Sequence, residues 1–208
     1  MIVVIAGVNG AGKSSIQGAA WRHKGYEYFN PDEYARDLMK KDPKMTLDES
    51  NGQAWKRGYD ALNEAINHNI SFAFESTLGA TSIPAALRRA AANGIEIVIY
   101  FTGLSSPELH IKRVQARVAK GGHDIPEVKI RERYISSLVN MISLIPYCTE
   151  LRIIDNSAPL DASGTPSPKT VVWVAKGKFR TFLGAATPVW AKPLVMCVIK
   201  HFGYPTAV

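Results

Sequence analysis

The stretch Gly7-Val8-Asn9-Gly10-Ala11-Gly12-Lys13-Ser14 decides the fold of this chain. It matches the P-loop (Walker A) pattern G-x-x-x-x-G-K-S/T. An apolar, largely β-branched run at residues 1–6 precedes it, and a helical pattern at residues 13–24 follows it. Because a P-loop requires a buried strand, a glycine turn and a helix in this order, we favour a phosphate-binding loop over an incidental glycine-rich turn.

The chemistry of the loop indicates a nucleotide and a divalent cation. Its glycines allow a tight turn in which successive backbone N–H groups face phosphate oxygens, and the helix that follows adds the positive end of its dipole. Lys13 can reach the terminal phosphates, and the Ser14 hydroxyl can ligate Mg²⁺. The predicted nucleotide-binding residues of the loop are Gly7, Val8, Asn9, Gly10, Ala11, Gly12, Lys13, Ser14 and Ser15.

The composition is that of a globular protein that favours anionic ligands. Of the 208 residues, 46% are hydrophobic and 21% are charged, which excludes wholesale disorder, and two cysteines exclude a disulfide scaffold. The net charge of +7 favours nucleotides, sugar phosphates or nucleic acid. No apolar run approaches the roughly 20 residues that cross a bilayer, and the N-terminus lacks a signal-peptide pattern. We therefore expect a cytoplasmic protein without a membrane partner.

Strand patterns alternate with helical patterns along the chain, which is typical of βαβ units and a mostly parallel sheet. Strands are predicted at residues 1–6, 26–29, 70–74, 95–101, 150–154 and 171–176. Helices are predicted at residues 13–24, 31–40, 47–69, 83–93, 107–118 and 126–145. Residues 158–170 contain three prolines and are predicted to form a linker or surface loop. Residues 187–204 show a helical spacing that Pro188 and Pro193 weaken.

Two carboxylates follow predicted strands, at the sheet edge where open α/β sheets bind their ligands. Asp32 comes just after residues 26–29, and Glu75 follows residues 70–74. Either could accept a proton from an attacking hydroxyl, hold Mg²⁺ through water or bind substrate hydroxyls; the alternative for both is the capping of a helix or turn. The strand predicted at residues 95–101 ends without a carboxylate, which favours a small kinase over a motor-type or switch-type NTPase.

A basic segment lies between two predicted helices, around Gly121-Gly122. Arg113 and Arg117 are one helical turn apart and share a face. An arginine-bearing flap over the nucleotide would supply charge to the transferring phosphoryl group and exclude water, whereas the alternative is a solvated helix face. The segment contains Arg113, Arg117, Lys120, His123, Lys129, Arg131 and Arg133.

Four stretches follow one another in a characteristic order: Gly7–Ser14, Asn30-Pro31-Asp32-Glu33, Phe74-Glu75-Ser76-Thr77-Leu78, and Arg117–Pro126 continuing into Ile130–Tyr134. In this order they resemble the zeta-toxin-like family of P-loop kinases, over roughly residues 1–156. The segment Gly121–Asp124 departs from the prototype toxins and is similar to chromosomal relatives, whereas the last 50 or so residues lie outside the resemblance.

The resemblance implies a three-layer α/β/α P-loop NTPase fold of the adenylate-kinase type, with a mostly parallel sheet of five or six strands. Residues 1–156 would form the kinase core, with an arginine-bearing lid at about residues 112–133. Residues 157–208 would form a linker and a C-terminal extension packed on that core. The family also allows an antitoxin-type protein partner.

The resemblance further implies ATP- and Mg²⁺-dependent phosphoryl transfer to a hydroxyl, which in zeta toxins belongs to UDP-N-acetylglucosamine. Asp32 would be the base that takes the proton of the acceptor hydroxyl, and Glu75 and Thr77 would contact the acceptor. The phosphates would be handled by Lys13, by Ser14 as the metal ligand, and by some of Arg113, Arg117 and Arg131. The predicted catalytic residues are therefore Asp32, Lys13, Arg117 and Arg131, with Arg113 assigned to the nucleotide.

Two other functions fit parts of the sequence. A nucleic-acid end kinase would use the net charge of +7, but aromatic residues are sparse in the basic segment, where Tyr134 is the main candidate for stacking, so we rank it lower. A non-catalytic ATP-binding module could use the C-terminal aromatics as a partner surface, although such residues more commonly pack in a core. Those aromatics are Trp173, Phe179, Phe182 and Trp190.

Overall fold

The computed structural model describes residues 1–159 and 166–205. Its centre is a six-stranded sheet in the order β2-β1-β3-β4-β5-β6. The first four strands are parallel, and the last two join the edge of β4 in antiparallel fashion. The strands are β1 (Ile2–Ala6), β2 (Phe72–Ser76), β3 (Ile97–Gly103), β4 (Glu150–Asp155), β5 (Lys169–Ala175) and β6 (Lys178–Phe182).

Helices cover both sides of the sheet, so the predicted α/β fold of the P-loop NTPase type is confirmed. The main core packs α3, α4, α6 and α7 against β1, β3, β4 and β5, and a smaller cluster joins α5 and α6 beside the glycine loop. The helices are α1 (Ala19–His23), α2 (Pro31–Lys41), α3 (Leu47–His68), α4 (Ser82–Ala92), α5 (Pro107–Val118), α6 (Glu127–Leu144) and α7 (Lys192–Phe202).

The strand that leads into the glycine loop is buried on both faces, as its unbroken apolar run predicts. All five residues of β1 are at most 3% exposed, and β1 pairs with β2 on one side and β3 on the other. Strands of a parallel sheet that are covered by helices read as continuous hydrophobic runs. The loop therefore follows an internal strand of the sheet and lies at the carboxyl ends of β2 and β3.

The strand predicted at residues 26–29 is wrong. Only Phe29 pairs with the sheet: its N–H donates to the Ala73 carbonyl at 2.8 Å, and its own carbonyl accepts from Glu75 N–H at 2.9 Å. The next residue, Asn30, caps α2 and turns the chain away, because its side-chain oxygen accepts from Asp32 N–H at 2.9 Å. The single bridge nevertheless holds the start of α2 beside β2.

The sixth strand, β6, is absent from the sequence prediction. It forms a hairpin with β5 through Lys176 and Gly177, whose φ angles of 50° and 71° suit a two-residue turn. Of the loop predicted at residues 158–170, residues 160–165 lie outside the described residues, and residues 169–170 already belong to β5.

The helix suggested at residues 187–204 is present in shortened form. A 3-10 turn at Val189–Ala191 leads into α7, and Pro193 occupies the first turn of that helix, where its missing N–H costs nothing. Trp190 packs so closely on Gly103 that a Cβ there would overlap the indole, and its Nε1–H donates to Asp155 Oδ1 at 3.0 Å. Trp190 thus ties the C-terminal segment to the ends of β3 and β4.

No helix within residues 1–159 and 166–205 combines the length and the apolar character that a membrane crossing requires.

We expect Trp190→Ala to lower the free energy of unfolding by about 3–5 kcal/mol, because Trp190 is 7% exposed and its loss leaves a cavity beside Gly103. Urea unfolding measures the change. Val189→Ala is the matched control: Val189 is 79% exposed, and its variant should shift stability by less than about 0.5 kcal/mol. Equal effects of the two variants would show that Trp190 does not anchor the segment.

Candidate active site

The glycine loop adopts a backbone that only glycine tolerates. Gly7 and Gly12 have φ angles of 140° and 90°. A side chain at Gly7 would overlap the Thr102 carbonyl of β3, and a Cβ at Gly12 would lie 2.8 Å from Asn156 Nδ2. The side chain of Asn156 in turn donates to the Ala11 carbonyl at 2.9 Å. The loop is therefore pressed against the ends of β3 and β4, in the form that a phosphate cradle needs.

A buried carboxylate joins the two reactive side chains of the loop. Glu75 Oε1 lies 3.4 Å from Lys13 Nζ, and both residues are 7% exposed. Ser14 Oγ donates to Glu75 Oε2 at 2.8 Å, and Asn30 Nδ2 donates to the same oxygen at 3.3 Å. Glu75 thus contacts the lysine, the serine and the cap of α2 at once, which the sequence did not indicate.

The oxygens of Ser14 and Glu75 fit a magnesium ion. Mg²⁺ is bound in nucleotide sites by one or two protein oxygens together with phosphates and water. A hydroxyl and a carboxylate in contact supply such a pair. Within the part of the chain that the structure describes, no group of three or more His, Cys, Asp or Glu residues could hold a metal ion.

The helix after the loop begins irregularly, so the continuous helix predicted at residues 13–24 is corrected. Ser14–Gly18 form a π-helical turn, and α1 follows it. Gly18 meets the Tyr28 ring so closely that a Cβ there would overlap the Tyr28 hydroxyl. Among the described residues, that hydroxyl is buried and has no hydrogen-bond partner. Burial raises the pKa of Tyr28. Single π-helical turns occur frequently at functional sites.

A cavity of 420 Å³ opens beside the loop and contains the three residues predicted to bind the acceptor, Asp32, Glu75 and Thr77. Asp32 lies on the first turn of α2, but the side chain that caps this helix is Asn30. Within the described residues, the Asp32 carboxylate forms neither an ion pair nor a hydrogen bond. A carboxylate in that situation is free to meet a hydroxyl in the cavity.

The three arginines predicted to contact phosphates have other partners. Arg113 Nη2 donates to the carbonyls of Asn156 at 2.7 Å and Ala158 at 3.1 Å. Arg117 Nη2 donates to the His123 carbonyl at 2.7 Å, and Arg131 Nη1 to Glu108 Oε1 at 2.6 Å. The Arg131 hydrogen bond lowers the pKa of Glu108 to about 2. Their roles at the phosphates remain predictions.

Arg133 occupies the position between the loop and the cavity. Its Nη1 donates to Asn9 Oδ1 at 2.8 Å, and its side chain lines the cavity. Burial lowers the pKa of Arg133, and the negative charge of Asp32 opposes that shift. The sequence analysis places Arg133 in the basic segment but gives it no role. Helical periodicity could have indicated its position, since Arg133 shares its face of α6 with Ile130 and Ser137, which are both 0% exposed.

His110 is a residue beside the loop that the sequence analysis did not name. It lies on α5 with 1% exposure, and its Nδ1–H donates to the Asn9 carbonyl at 2.8 Å. Burial, partly offset by that hydrogen bond, lowers the pKa of His110 to about 4. Asn9 is therefore held by α5 through its backbone and by α6 through its side chain.

The fold and this loop define the chain as a P-loop protein of the kinase type. The profile of the Zeta toxin family matches residues 1–157, and the chain belongs to that family. Membership in this family supports an ATP-using kinase. An uncharacterised protein of Haemophilus influenzae is 27% identical over 133 residues, which cover 64% of this chain and 91% of the relative.

Solved structures share the fold at low identity. Crystals of the AvrRxo1-ORF1:ORF2 complex, with sulphate ions and with ATP, give TM-scores of 0.64 and 0.63 at 15% identity. Each of the two matches covers 100% of this chain. They cover 66% and 65% of the AvrRxo1-ORF1 complex chains, respectively. A structure from the PezAT chromosomal toxin-antitoxin system of Streptococcus pneumoniae gives a TM-score of 0.53 at 12% identity, covering 95% of this chain and 84% of the other.

We expect the stability of the protein to fall as the pH drops from 6.5 to 4. In this window the unfolded chain protonates His110, whose ordinary pKa is 6.5, whereas the folded chain keeps it neutral to a pKa of about 4. The free energy of unfolding should therefore decrease by up to about 3 kcal/mol from this group. Denaturant unfolding at several pH values measures the slope. His110→Gln should flatten it; an unchanged slope would assign the effect to other groups.

Proposed function

We propose that this protein is an ATP- and Mg²⁺-dependent kinase that transfers the γ-phosphoryl group of ATP to a hydroxyl of a small molecule of the nucleotide-sugar type. One observation carries the proposal. Glu75 contacts the lysine and the serine of the P-loop, and it lies in the wall of the same cavity as the Asp32 carboxylate, which has no partner among residues 1–159 and 166–205. A phosphate donor in the loop and an acceptor in the cavity would therefore meet directly.

The loop side would hold the donor. Backbone N–H groups of the loop would bind the β- and γ-phosphates. Lys13 would exchange its contact with Glu75 for a contact with the negatively charged γ-phosphoryl group during its transfer. Mg²⁺, when bound, neutralises negative charge on the phosphates. Ser14 and Glu75 are the residues of this chain that would hold it.

The cavity side would activate the acceptor. The Asp32 carboxylate would accept the proton of the acceptor hydroxyl. The hydroxyl oxygen would then form a bond to the γ-phosphorus of ATP, while the bond between that phosphorus and the oxygen that leaves with ADP breaks. Thr77 lines the same cavity and would orient the acceptor. Arg133, between Asn9 and the cavity, would supply positive charge to the transferring group, in the role the sequence gave to Arg117 and Arg131.

The proposal also includes a protein partner, a cellular location and a division of the chain into a core and an extension. The PezAT structure comes from a toxin-antitoxin system and the AvrRxo1-ORF1 structures contain a second protein, so we propose a protein partner of the antitoxin type for this chain. A cytoplasmic location would supply the ATP. Residues 1–156 would form the catalytic core, with a lid at about residues 112–133, and residues 157–208 would be an extension of that core.

We expect Asp32→Asn to reduce phosphoryl transfer by about 100-fold or more, because the amide cannot accept the proton of the hydroxyl. Transfer of labelled phosphate from ATP to a panel of acceptors, including UDP-N-acetylglucosamine, simple sugars and an oligonucleotide, measures the rate. Asp37→Asn is the matched control, since Asp37 lies on the same helix and pairs with Lys40 at the surface. Wild-type turnover by Asp32→Asn would exclude Asp32 as the base.

We expect Arg133→Met to lower kcat/KM by about 100-fold or more, and by more than Arg131→Met, because Arg133 lies between the loop and the cavity while Arg131 pairs with Glu108. The comparison uses the same acceptor and saturating Mg²⁺. Circular dichroism establishes that both variants fold. A larger loss in Arg131→Met would mean that the lid rearranges to bring Arg131 to the phosphates.

A further inference from the structure

The turn after α5 is fixed by an arginine of that helix. The helix ends at Val118, and the chain reverses at Gly121, whose φ angle is 81°. Gly122 N–H donates to the Arg117 carbonyl at 3.0 Å, and a Cβ at Gly122 would lie 2.5 Å from Arg117 Cγ. The two glycines therefore allow the chain to fold back onto the side chain of Arg117, which residues with a Cβ would prevent.

The guanidinium group of Arg117 holds the residue that follows these glycines. Its Nη2 donates to the His123 carbonyl at 2.7 Å. Arg117 Nε is buried and has no hydrogen-bond partner among the described residues. Arg117 thus fixes the backbone that carries the His123 imidazole.

The His123 imidazole lines the same space as Asp32. Two cavities, of 420 Å³ and 300 Å³, share three lining residues, which are Asp32, Asn51 and His123. Asp32 comes from α2 and His123 from the turn after α5, so the two side chains reach the junction of the cavities from different elements. His123 is half-buried there, and its ring forms neither an ion pair nor a hydrogen bond within the described residues.

The surroundings of His123 keep its ring neutral near pH 7. Burial lowers the pKa of His123, and the negative charge of Asp32 is the strongest effect that opposes this shift. Arg117 and Arg36 add to the lowering of this pKa, whereas Asp124 opposes it. A neutral imidazole has one nitrogen that donates a hydrogen bond and one that accepts, so it can bind a hydroxyl in either role. The charged residues that line the larger cavity from α6 are Lys129, Glu132 and Arg133.

Asp32 and His123 face one space without touching each other. No ion pair joins them, although the charge of Asp32 acts on the imidazole. A ligand atom can therefore lie between the two side chains. A compound with two neighbouring hydroxyls could donate to the Asp32 carboxylate with one of them and meet the His123 imidazole with the other.

We propose that His123 binds the acceptor, at a hydroxyl beside the one that Asp32 deprotonates, and that Arg117 is a positioning residue that holds His123 in place. The inference rests on the proposed kinase function of the site. Arg117 then has a different task from the contact with phosphates that the sequence predicts. The turn Gly121–Asp124 becomes part of the acceptor-binding surface.

The test separates binding of the acceptor from binding of ATP. Initial rates of transfer from labelled ATP give kcat and the KM of each substrate for the wild type, His123→Ala, His123→Gln and Arg117→Met. The acceptor is the compound that the wild type phosphorylates fastest among UDP-N-acetylglucosamine, N-acetylglucosamine and glucose. Circular dichroism and urea unfolding establish that each variant folds.

We expect His123→Ala to raise the KM of the acceptor by about fivefold or more, because one hydrogen bond to the acceptor is lost, and to leave the KM of ATP unchanged. His123→Gln should recover most of this loss, since its amide also donates and accepts. Arg117→Met should raise the KM of the acceptor in the same way. The variant that combines Arg117→Met with His123→Ala should be no worse than His123→Ala, because both changes remove one interaction.

The matched control is His68→Ala, because His68 is an exposed histidine at the end of α3. It should leave both KM values unchanged.

A second measurement needs no acceptor. The imidazole resonances of His123, assigned with His123→Gln, report the pKa of this ring in the full chain. Asp32→Asn removes a negative charge that favours the protonated ring, so the pKa of His123 should fall further. Asp37→Asn, at the surface of the same helix, should leave it unchanged.

Three outcomes would overturn the inference. An unchanged acceptor KM in His123→Ala would exclude His123 from acceptor binding, and an unchanged pKa of His123 in Asp32→Asn would show that the two groups do not share the site. A loss in Arg117→Met that is confined to kcat and the KM of ATP would assign Arg117 to the phosphates. Transfer that does not depend on His123 refutes the inference and leaves the kinase function standing, whereas no transfer to any compound by the wild type refutes the kinase function, and the inference with it.

Discussion

The burial of the Glu75 carboxylate is the constraint on which the geometry of the site depends. A charged group that is 7% exposed needs partners for its oxygens, and Glu75 finds them in Lys13, Ser14 and Asn30. These partners belong to the loop, the helix after it and the cap of α2. The pairing of Glu75 with Ile5 in the parallel register of β1 and β2 places the carboxylate at the height of the loop. One buried charge thus joins the phosphate cradle to the helix that carries Asp32.

A second set of contacts fixes the opposite side of the loop. Asn9 receives hydrogen bonds from His110 of α5 and Arg133 of α6, so both helices of the basic segment are attached to the residue at the turn of the loop. Because Arg133 also lines the cavity that contains Asp32, α6 contacts the loop and the cavity through one side chain.

The C-terminal segment acts on the site through the end of β4. Asp155 accepts a hydrogen bond from Trp190, and the adjacent Asn156 donates to the Ala11 carbonyl of the loop. Arg113 holds the Asn156 carbonyl from the side of α5. The residues beyond the family match therefore contribute in two ways. β5 and β6 extend the sheet at the edge of β4, and Trp190 holds the end of β4, which contacts the loop through Asn156.

Patterns within short stretches of the sequence predicted the class of the fold and the position of the glycine loop. A continuous apolar strand, the glycine pattern and the alternation of strands and helices depend on residues close together in the chain, and β1, the loop and the parallel sheet follow from them. Local patterns also placed Asp32 and Glu75 at one edge of the sheet, where the structure brings both into one cavity.

Which side chains meet across that edge depends on the packing of segments that are distant in the sequence. The predicted strand at residues 26–29 is reduced to one bridge because Asn30 caps α2. The strand β6 forms because β5 offers an edge for pairing, and this pairing is a contact between two segments that neither segment shows alone. Arg133 faces the cavity and Arg131 faces Glu108 because of how α6 is rotated against the core. The partners of Glu75 depend in the same way on long-range packing, which spacing along a chain does not encode.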